Sequence, residues 1–398
     1  MLSPEKVRAA LEAKKDRFAD FDVQTQQESD RYRAAFDALA QQSKAQIEAG
    51  LQGKDYPGAR PTAEHDTGSG LVVPFGQTWN NHEEARAWAM SILRGVPTLA
   101  VDGSQIQAQR DVSIPVAVVQ VGWFFNPHDP DQSYEKNIHV EVLAPDEFAE
   151  EDVGEGGFPD TEVNARRFLL EVETIISFMQ RYQEAAVKPL CFLDGSLVLS
   201  FAAPTRMPPT LAQRYRDSIC RLLATSEACQ VPLVGYIDRS YAKDLVTMVA
   251  TVTRMPLPTH LSDAPLVRLP AWGDRSQVYV CARDDGVLKH YRDPDSGRNL
   301  SDQVCFVYLQ TTSDTPPARL DVPRWMVENG ELERVLNLVR AECLIATGYP
   351  YALETADAVA VLTMQDRERF NRLFQDFLAQ QGKELRITRK SLSKRRRR

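Results

Sequence analysis

Two short stretches decide the reading of this chain: TLAVDGSQ at residues 98–105 and CFLDGSL at residues 191–197. Each drives an apolar, strand-like run into an aspartate, Asp102 and Asp194, and each continues with Gly-Ser. An Asp-Gly pair is a common tight turn for backbone reasons alone. Twice over, after a buried-looking strand, it places two carboxylates where strands end at the rim of a sheet, which is where open α/β sheets bind ligands. The glycines allow a ligand or ion to approach the backbone closely.

The segment between them supplies a third carboxylate. Residues 161–183 have the 3.6-residue periodicity of a helix. At about 100° per residue, Phe168, Val172, Ile175 and Met179 form the apolar stripe, and Glu171 falls about 60–80° from its centre, on the sheet side. Glu173 falls on the polar side. A carboxylate on the inner side is costly unless it is paired or bound to a metal. The alternative is a salt bridge to Arg166 or Arg167. A fourth acidic candidate, Asp357, lies in the Ala/Val-rich segment YPYALETADAVAVLT (349–363), with Glu354 one turn before it. Acidic groups gathered at one rim repel one another without cations. Oxygen donors suit Mg²⁺ or Mn²⁺, and two such ions roughly 3.5–4 Å apart can activate water and stabilise the leaving oxygen in phosphodiester cleavage.

Around these residues the pattern reads as strands at 98–104, 113–125 and 137–143, helix 161–183, strand 188–201, helix 210–228 and strand 231–238. Further strands and C-terminal helices follow. Hairpin strands followed by βαβ alternation imply an α/β mixed sheet flanked by helices, of RNase H-like layout. Residues 3–50 read as a helical arm, since no glycine precedes Gly50 and proline occurs only at position 4. The expected domains are an N-terminal helical arm (1–52), a loop-rich connection with a short helix (53–95), the RNase H-like domain (96–365), and a last helix with a basic tail (366–398).

With 398 residues, 43% hydrophobic and 26% charged, the chain has globular composition. It has no apolar run long enough to span a membrane and no secretory h-region near its start. Six dispersed cysteines without CxxC spacing read as reduced thiols rather than a disulfide frame or zinc site. These features point to a cytoplasmic protein. The net charge of −8 is uneven: residues 383–398 hold nine Lys or Arg against one Glu, so the other 382 residues carry −16. Such a tail is a candidate polyanion-binding arm. HDTGSG (65–70) contains the Asp-Thr-Gly-Ser of aspartic proteases, but it follows a polar segment and has no second copy, so it reads as a loop. The absence of GxxxxGK[ST] and GxGxxG assigns no ATP hydrolysis to this chain.

The segments LAVDGSQ, FLLEVE and CFLDGSL, with looser matches at LVGYIDRSYAKDLV and RLDVPRW and then GYPYALETADAVAVLT, resemble the NurA nucleases in content and order over roughly residues 95–365. The resemblance implies an RNase H-like core and a Mn²⁺-dependent (or Mg²⁺-supported) deoxyribonuclease. It implies a 5′–3′ exonuclease and/or single-strand endonuclease acting in DNA end resection, a homodimer associated with the nucleoid, and partnership with the HerA-type hexameric ATPase. Asp102, Glu171, Asp194 and Asp357 would then be metal ligands, and Tyr349 would position substrate. Many members of the family carry histidine where this chain has Asp357. Near Asp238, where a lysine is expected, this chain has Arg239. The competing reading is a catalytically inactive DNA-binding or scaffold subunit of a HerA-type complex. Arg110, Arg206, Arg239 and Lys243 are candidate phosphate contacts by position.

Overall fold

The computed structural model describes residues 2–67, 70–108, 113–147, 160–203 and 206–383. In chain order its elements begin with helices α1 (Pro4–Glu12), α2 (Lys15–Leu39) and α3 (Lys44–Gly50), strands β1 (Gly58–Pro61) and β2 (Val72–Val73), and helix α4 (His82–Leu93). Then come β3 (Thr98–Ile106), β4 (Ala117–Asn126), β5 (Glu135–Leu143), α5 (Asp160–Arg181), β6 (Leu190–Asp194), α6 (Pro209–Cys229) and β7 (Leu233–Ile237). The chain continues through α7 (Asp244–Thr253), β8 (Arg275–Ser276), β9 (Tyr279–Ala282), β10 (Val304–Leu309) and β11 (Ala318–Pro323). It finishes with α8 (Arg324–Glu328), α9 (Leu332–Ile345), α10 (Tyr351–Ala360) and α11 (Met364–Gln380). These residues fall into two compact units. One comprises residues 1–77, 237–284 and 304–320; the other comprises 78–236, 285–303 and 321–398.

The second unit carries the acidic motifs. Its strands lie in the order β7-β6-β3-β4-β5. β3 pairs antiparallel with β4 and parallel with β6, β6 pairs parallel with β7, and β4 pairs antiparallel with β5. Counted from β3, this is the 3-2-1-4-5 order with an antiparallel second strand, the RNase H-like mixed sheet expected from the sequence. Helices α5 and α10 cover opposite faces. Gln105 and Gln107 donate to Asn164 Oδ1 of α5 at 3.0 and 2.7 Å. The neighbouring residues point the other way, toward α10: Ser104 Oγ accepts from the Leu362 amide just beyond that helix at 3.2 Å. Gln120 donates to Ala360 O at 3.0 Å. Alternation along the strand thus places successive residues of β3 under different helices.

Several expectations are corrected. β3 does not end at Asp102 but runs through Gly103 and Ser104 to Ile106, because β4 pairs with it along the whole stretch. Only Asp194 ends its strand. The expected long strand over 188–201 is cut at that point by Gly195, whose φ of +139° leaves the extended region. The N-terminal helix is three helices, broken near residue 14 and again at residue 43, where Ser43 and Gln46 form a capping box for α3. Among the C-terminal helices, α8 and α9 are separated at Asn329-Gly330, where Gly330 adopts φ +74°. By contrast, Asn81 caps α4 and Thr363 with Asp366 caps α11, as the side-chain chemistry predicts. HDTGSG begins in a 3₁₀ turn with His65 buried between Gln277 Oε1 (2.8 Å) and Gln42 O (2.9 Å), an anchored loop in its described part. All six cysteines are buried and unbridged. Among the described residues no helix is long and apolar enough to cross a membrane. Residues 384–398 of the basic tail, and Arg110, lie outside the described residues.

The first unit is built around buried charge. Asp244 at the start of α7 pairs with Arg283 (2.7 Å) and Arg319 (2.5 Å). Arg319 lies 3.9 Å from the centre of the Phe306 ring. Asp263 accepts the amides of Asp244 and Val246 at 2.9 Å each, closing the N-terminus of α7. The paired guanidinium groups hold the Asp244 carboxyl below its ordinary range despite burial. Burial and the neighbouring Asp244 push Asp263 up to about 7. Removing one member of such a set strands a buried charge. Asp244→Ala should therefore lower the unfolding free energy of the full chain by about 3–5 kcal/mol, read by denaturant titration; a loss below 1 kcal/mol would show that the ion pairs contribute little.

Candidate active site

Asp102, Glu171 and Asp194 line one cavity of about 570 Å³, together with Gln105, Asn164, Arg167, Phe168, Phe201 and Tyr215. Asp102 lies in β3 opposite Gly122 of β4. A β-carbon on Gly122 would lie 2.8 Å from the Ala360 amide nitrogen, so the glycine is what allows α10 to sit on this face. Asp357 of α10 thereby comes within hydrogen-bonding reach of the Asp102 carboxyl. Two carboxyl groups can share a hydrogen bond only when one is protonated, unless a cation lies between them. Burial raises Asp102 to about 6, and the charges of Asp194 and Asp357 add to the shift, against the 2.8 Å hydrogen bond from the Gly103 amide.

Glu171 arrives from the opposite face. A β-carbon on Gly103 would overlap the Glu171 carboxylate and lie 2.7 Å from Cγ of Arg167, so only glycine leaves room for α5 to bring these side chains onto β3. The helical-wheel reading thus holds, with Glu171 buried and Glu173 exposed. The alternative reading holds beside it: Glu171 is ion-paired with Arg167. Arg166 instead grips Glu141 through two 2.7 Å bonds. Burial pushes Glu171 up to about 8; Arg167 opposes the shift, while Asp102 and Asp194 reinforce it.

Asp194 is exposed at the tip of β6. The turn beyond it folds over Gly235 of β7, whose missing side chain admits Gly195 O; a β-carbon there would lie 2.6 Å from that oxygen. Ser196 Oγ donates to Asp321 Oδ2 at 2.6 Å, and the same oxygen accepts from the Leu197 amide at 3.1 Å. The two Asp-Gly-Ser motifs therefore do different jobs. In the first, Gly103 admits α5 and Ser104 ties down the end of α10. In the second, Gly195 makes the turn and Ser196 binds the buried Asp321.

Tyr349 does not line the cavity; its ring packs edge-on against Tyr236 at 5.2 Å. Lys243 donates to the carbonyls of Pro258 (3.2 Å) and Thr259 (2.6 Å), so its ammonium is already engaged. Among the described residues, no three His, Cys, Asp or Glu side chains are gathered closely enough to hold a metal ion. The donor chemistry still fits a hard divalent cation, being all carboxylate oxygen, with Asp102 and Glu171 both raised by burial and further by their acidic neighbours. Sequence reasoning missed Asp321, Gln105, Asn164, Phe201 and Tyr215 as members or supports of the site. The run RLDVP carried a signal for Asp321, an acid inside an apolar strand.

The family model for the NurA domain matches residues 96–362. This chain belongs to the NurA nuclease family. The matched segment holds all five residues singled out from the sequence. Similar solved structures include a NurA crystallised with manganese, at 12% identity and TM-score 0.43, covering 75% of this chain and 93% of that one. They also include an endonuclease V from Bacillus subtilis (12%, TM-score 0.32, 76% and 97%) and the catalytic domain of human endonuclease V (13%, 0.31, 74% and 96%). No curated protein sequence matches the chain.

The NurA domain holds Asp357 in place through both ends of α10. At the N-terminal end, Glu342 Oε2 accepts from the Ala352 amide at 2.9 Å, and Glu342 Oε1 lies 3.6 Å from His128 Nε2. Burial raises Glu342 from 4.5 to about 7, opposed by the Ala352 amide, and burial lowers His128. Between those two values the folded protein binds a proton that the unfolded chain has released, so this group's contribution to stability falls as pH rises through that window. Relative to Glu342→Gln, the wild type should lose up to about 3 kcal/mol between pH 4.5 and 7.5. Paired urea titrations across that range test this, and parallel pH profiles for the two proteins would refute it.

Proposed function

We propose that this NurA family member is a metal-dependent deoxyribonuclease that hydrolyses phosphodiester bonds at DNA ends. The observation that carries the reading is the cavity shared by Asp102, Glu171 and Asp194, with Asp357 acting on Asp102 from α10. Asp194 and Asp357 act on Asp102, and Asp102 and Asp194 act on Glu171, an arrangement that favours a bound cation over carboxylates left to repel one another. Asp102, Asp194 and Asp357 would hold Mn²⁺ or Mg²⁺, in one or two sites, and Glu171 would join them on exchanging Arg167 for the cation. A divalent ion bound there lowers the pKa of water and neutralises charge building on the scissile phosphate. The chain's own contribution is to fix the donors on rigid elements, to orient the phosphate beside them, and to supply Arg167 as a second positive group. Tyr349 supports the segment that leads into α10. A HerA-type hexameric ATPase as motor and a homodimeric assembly complete the proposal, since the chain carries no nucleotide-binding loop of its own.

The Arg167–Glu171 ion pair also suits a subunit that kept the fold and lost its metal, so the non-catalytic scaffold remains the second reading. Wild type and Asp194→Ala separate the two, with labelled linear DNA as substrate and Mn²⁺, Mg²⁺ or EDTA present. Asp194 is exposed, so its loss should not unfold the domain. Activity should require the metal and drop at least about a hundredfold in the variant, since even the supporting partners of metal ligands are worth 10–100-fold. Calorimetric Mn²⁺ binding should weaken in parallel. Absence of both cleavage and Mn²⁺ binding in the wild type, with the ATPase present, would favour the scaffold.

A further inference from the structure

Resting on the nuclease reading, we propose that Phe201, backed by Tyr215 and Phe168, is a stacking platform for an unpaired nucleobase beside the acidic site. All three rings line the same cavity as Asp102, Glu171 and Asp194. Phe201 and Tyr215 meet edge to face, with centroids 5.0 Å apart and planes at 90°, and Phe168 lies 5.2 Å from Tyr215. Tyr215 is buried, but Phe201 is 45% exposed at the cavity wall. The two rings stand perpendicular, so Tyr215 does not stack face to face on Phe201.

The exposed ring is held on a tightly anchored segment. Ser196 is tied to Asp321, the Leu199 amide donates to Tyr291 Oη at 3.0 Å, and Tyr291 Oη donates to Leu197 O at 3.0 Å. Ser200 Oγ donates to Asp285 Oδ2 at 2.5 Å, and Arg216 donates to Ala202 O at 3.1 Å. Bonds on both sides of Phe201 thus fix the 3₁₀ turn Ser200–Ala202 that presents it. A half-exposed ring held on a pre-organised turn beside the acidic cavity meets a ligand with little ordering cost. The cavity also offers amides: Asn164 Oδ1 accepts from Gln105, which leaves Asn164 Nδ2 and Gln105 Oε1 without a protein partner among the described residues. Carboxylates for a cation-bridged phosphate, a ring face for a base and free amide atoms for sugar or base edges together fit a single nucleotide unit. Duplex bases have both faces covered by their neighbours, so the platform serves single strands and frayed ends.

The test is equilibrium binding of a 12-nucleotide single-stranded DNA containing 2-aminopurine, in EDTA so that no cleavage occurs. Wild type should quench the probe on binding, and so should Asp194→Ala. Phe201→Ala and Phe201→Leu should both bind roughly 5- to 150-fold more weakly, the range found for removing one base-stacking aromatic. Phe201→Trp should retain affinity and quenching. The KM for single-stranded DNA in Mn²⁺ should rise in the Ala variant while kcat holds. Wild-type affinity in Phe201→Ala, or full rescue by leucine, would overturn the platform while leaving the nuclease reading intact. Failure of the wild type to bind or cleave any DNA would instead overturn the nuclease reading.

Discussion

The burial of the Glu171 carboxylate over the bare α-carbon of Gly103 is the contact on which the site depends. A carboxylate taken out of water is expensive, and here Arg167 and its acidic neighbours set the terms on which it is tolerated. The contact requires that β3 carry no side chain at that position and that α5 lie close enough for two of its residues to touch the strand. Given both, an acid from one face of the sheet is brought electrostatically within range of acids on the other. Gly122 plays the matching part on the second face, where it admits α10 and with it Asp357. Two missing side chains in adjacent strands thus make a sheet thin enough for helices on opposite sides to contribute to one chemistry.

This arrangement explains the support around it. Asp321 holds the turn after β6, Glu342 and Ser104 hold α10 near its two ends, and Asn164 gathers the amides of β3. None of these is among the acids proposed to hold the cation, yet each fixes an element or side chain beside them. Pre-organisation of this kind holds acidic groups that repel one another in place. The first unit shows the contrasting use of buried charge: Asp244, Arg283 and Arg319 neutralise one another and hold the start of α7.

Much of the fold was legible because its elements are long and strongly patterned. The helix at 161–183 and the strands at 98–104 and 137–143 announce themselves by periodicity, and Asn81, Thr363 and Asp366 mark helix starts by the chemistry of their side chains. Short or composite elements were not legible. β1, β2 and β8 are stabilised by partners distant in sequence, and β11 is a short strand interrupted by polar residues. The extension of β3 past Asp102 was hidden because Gly-Ser reads locally as a turn, while pairing with β4 along nine residues keeps it extended.

For the site, sequence alone singled out the candidate acids, because a carboxylate set beside an apolar stripe is anomalous wherever it occurs: Asp102, Glu171, Asp194 and Asp357 all stand out on those terms. Tertiary structure decided how they meet. Which face of the sheet each approaches, that Asp357 comes to act on Asp102, that Glu171 rests on Arg167, and that Tyr349 stands away from the cavity all follow from strand register and helix packing. Those are long-range relations, set by how closely two helices can approach two glycines, and no local stretch of sequence contains them.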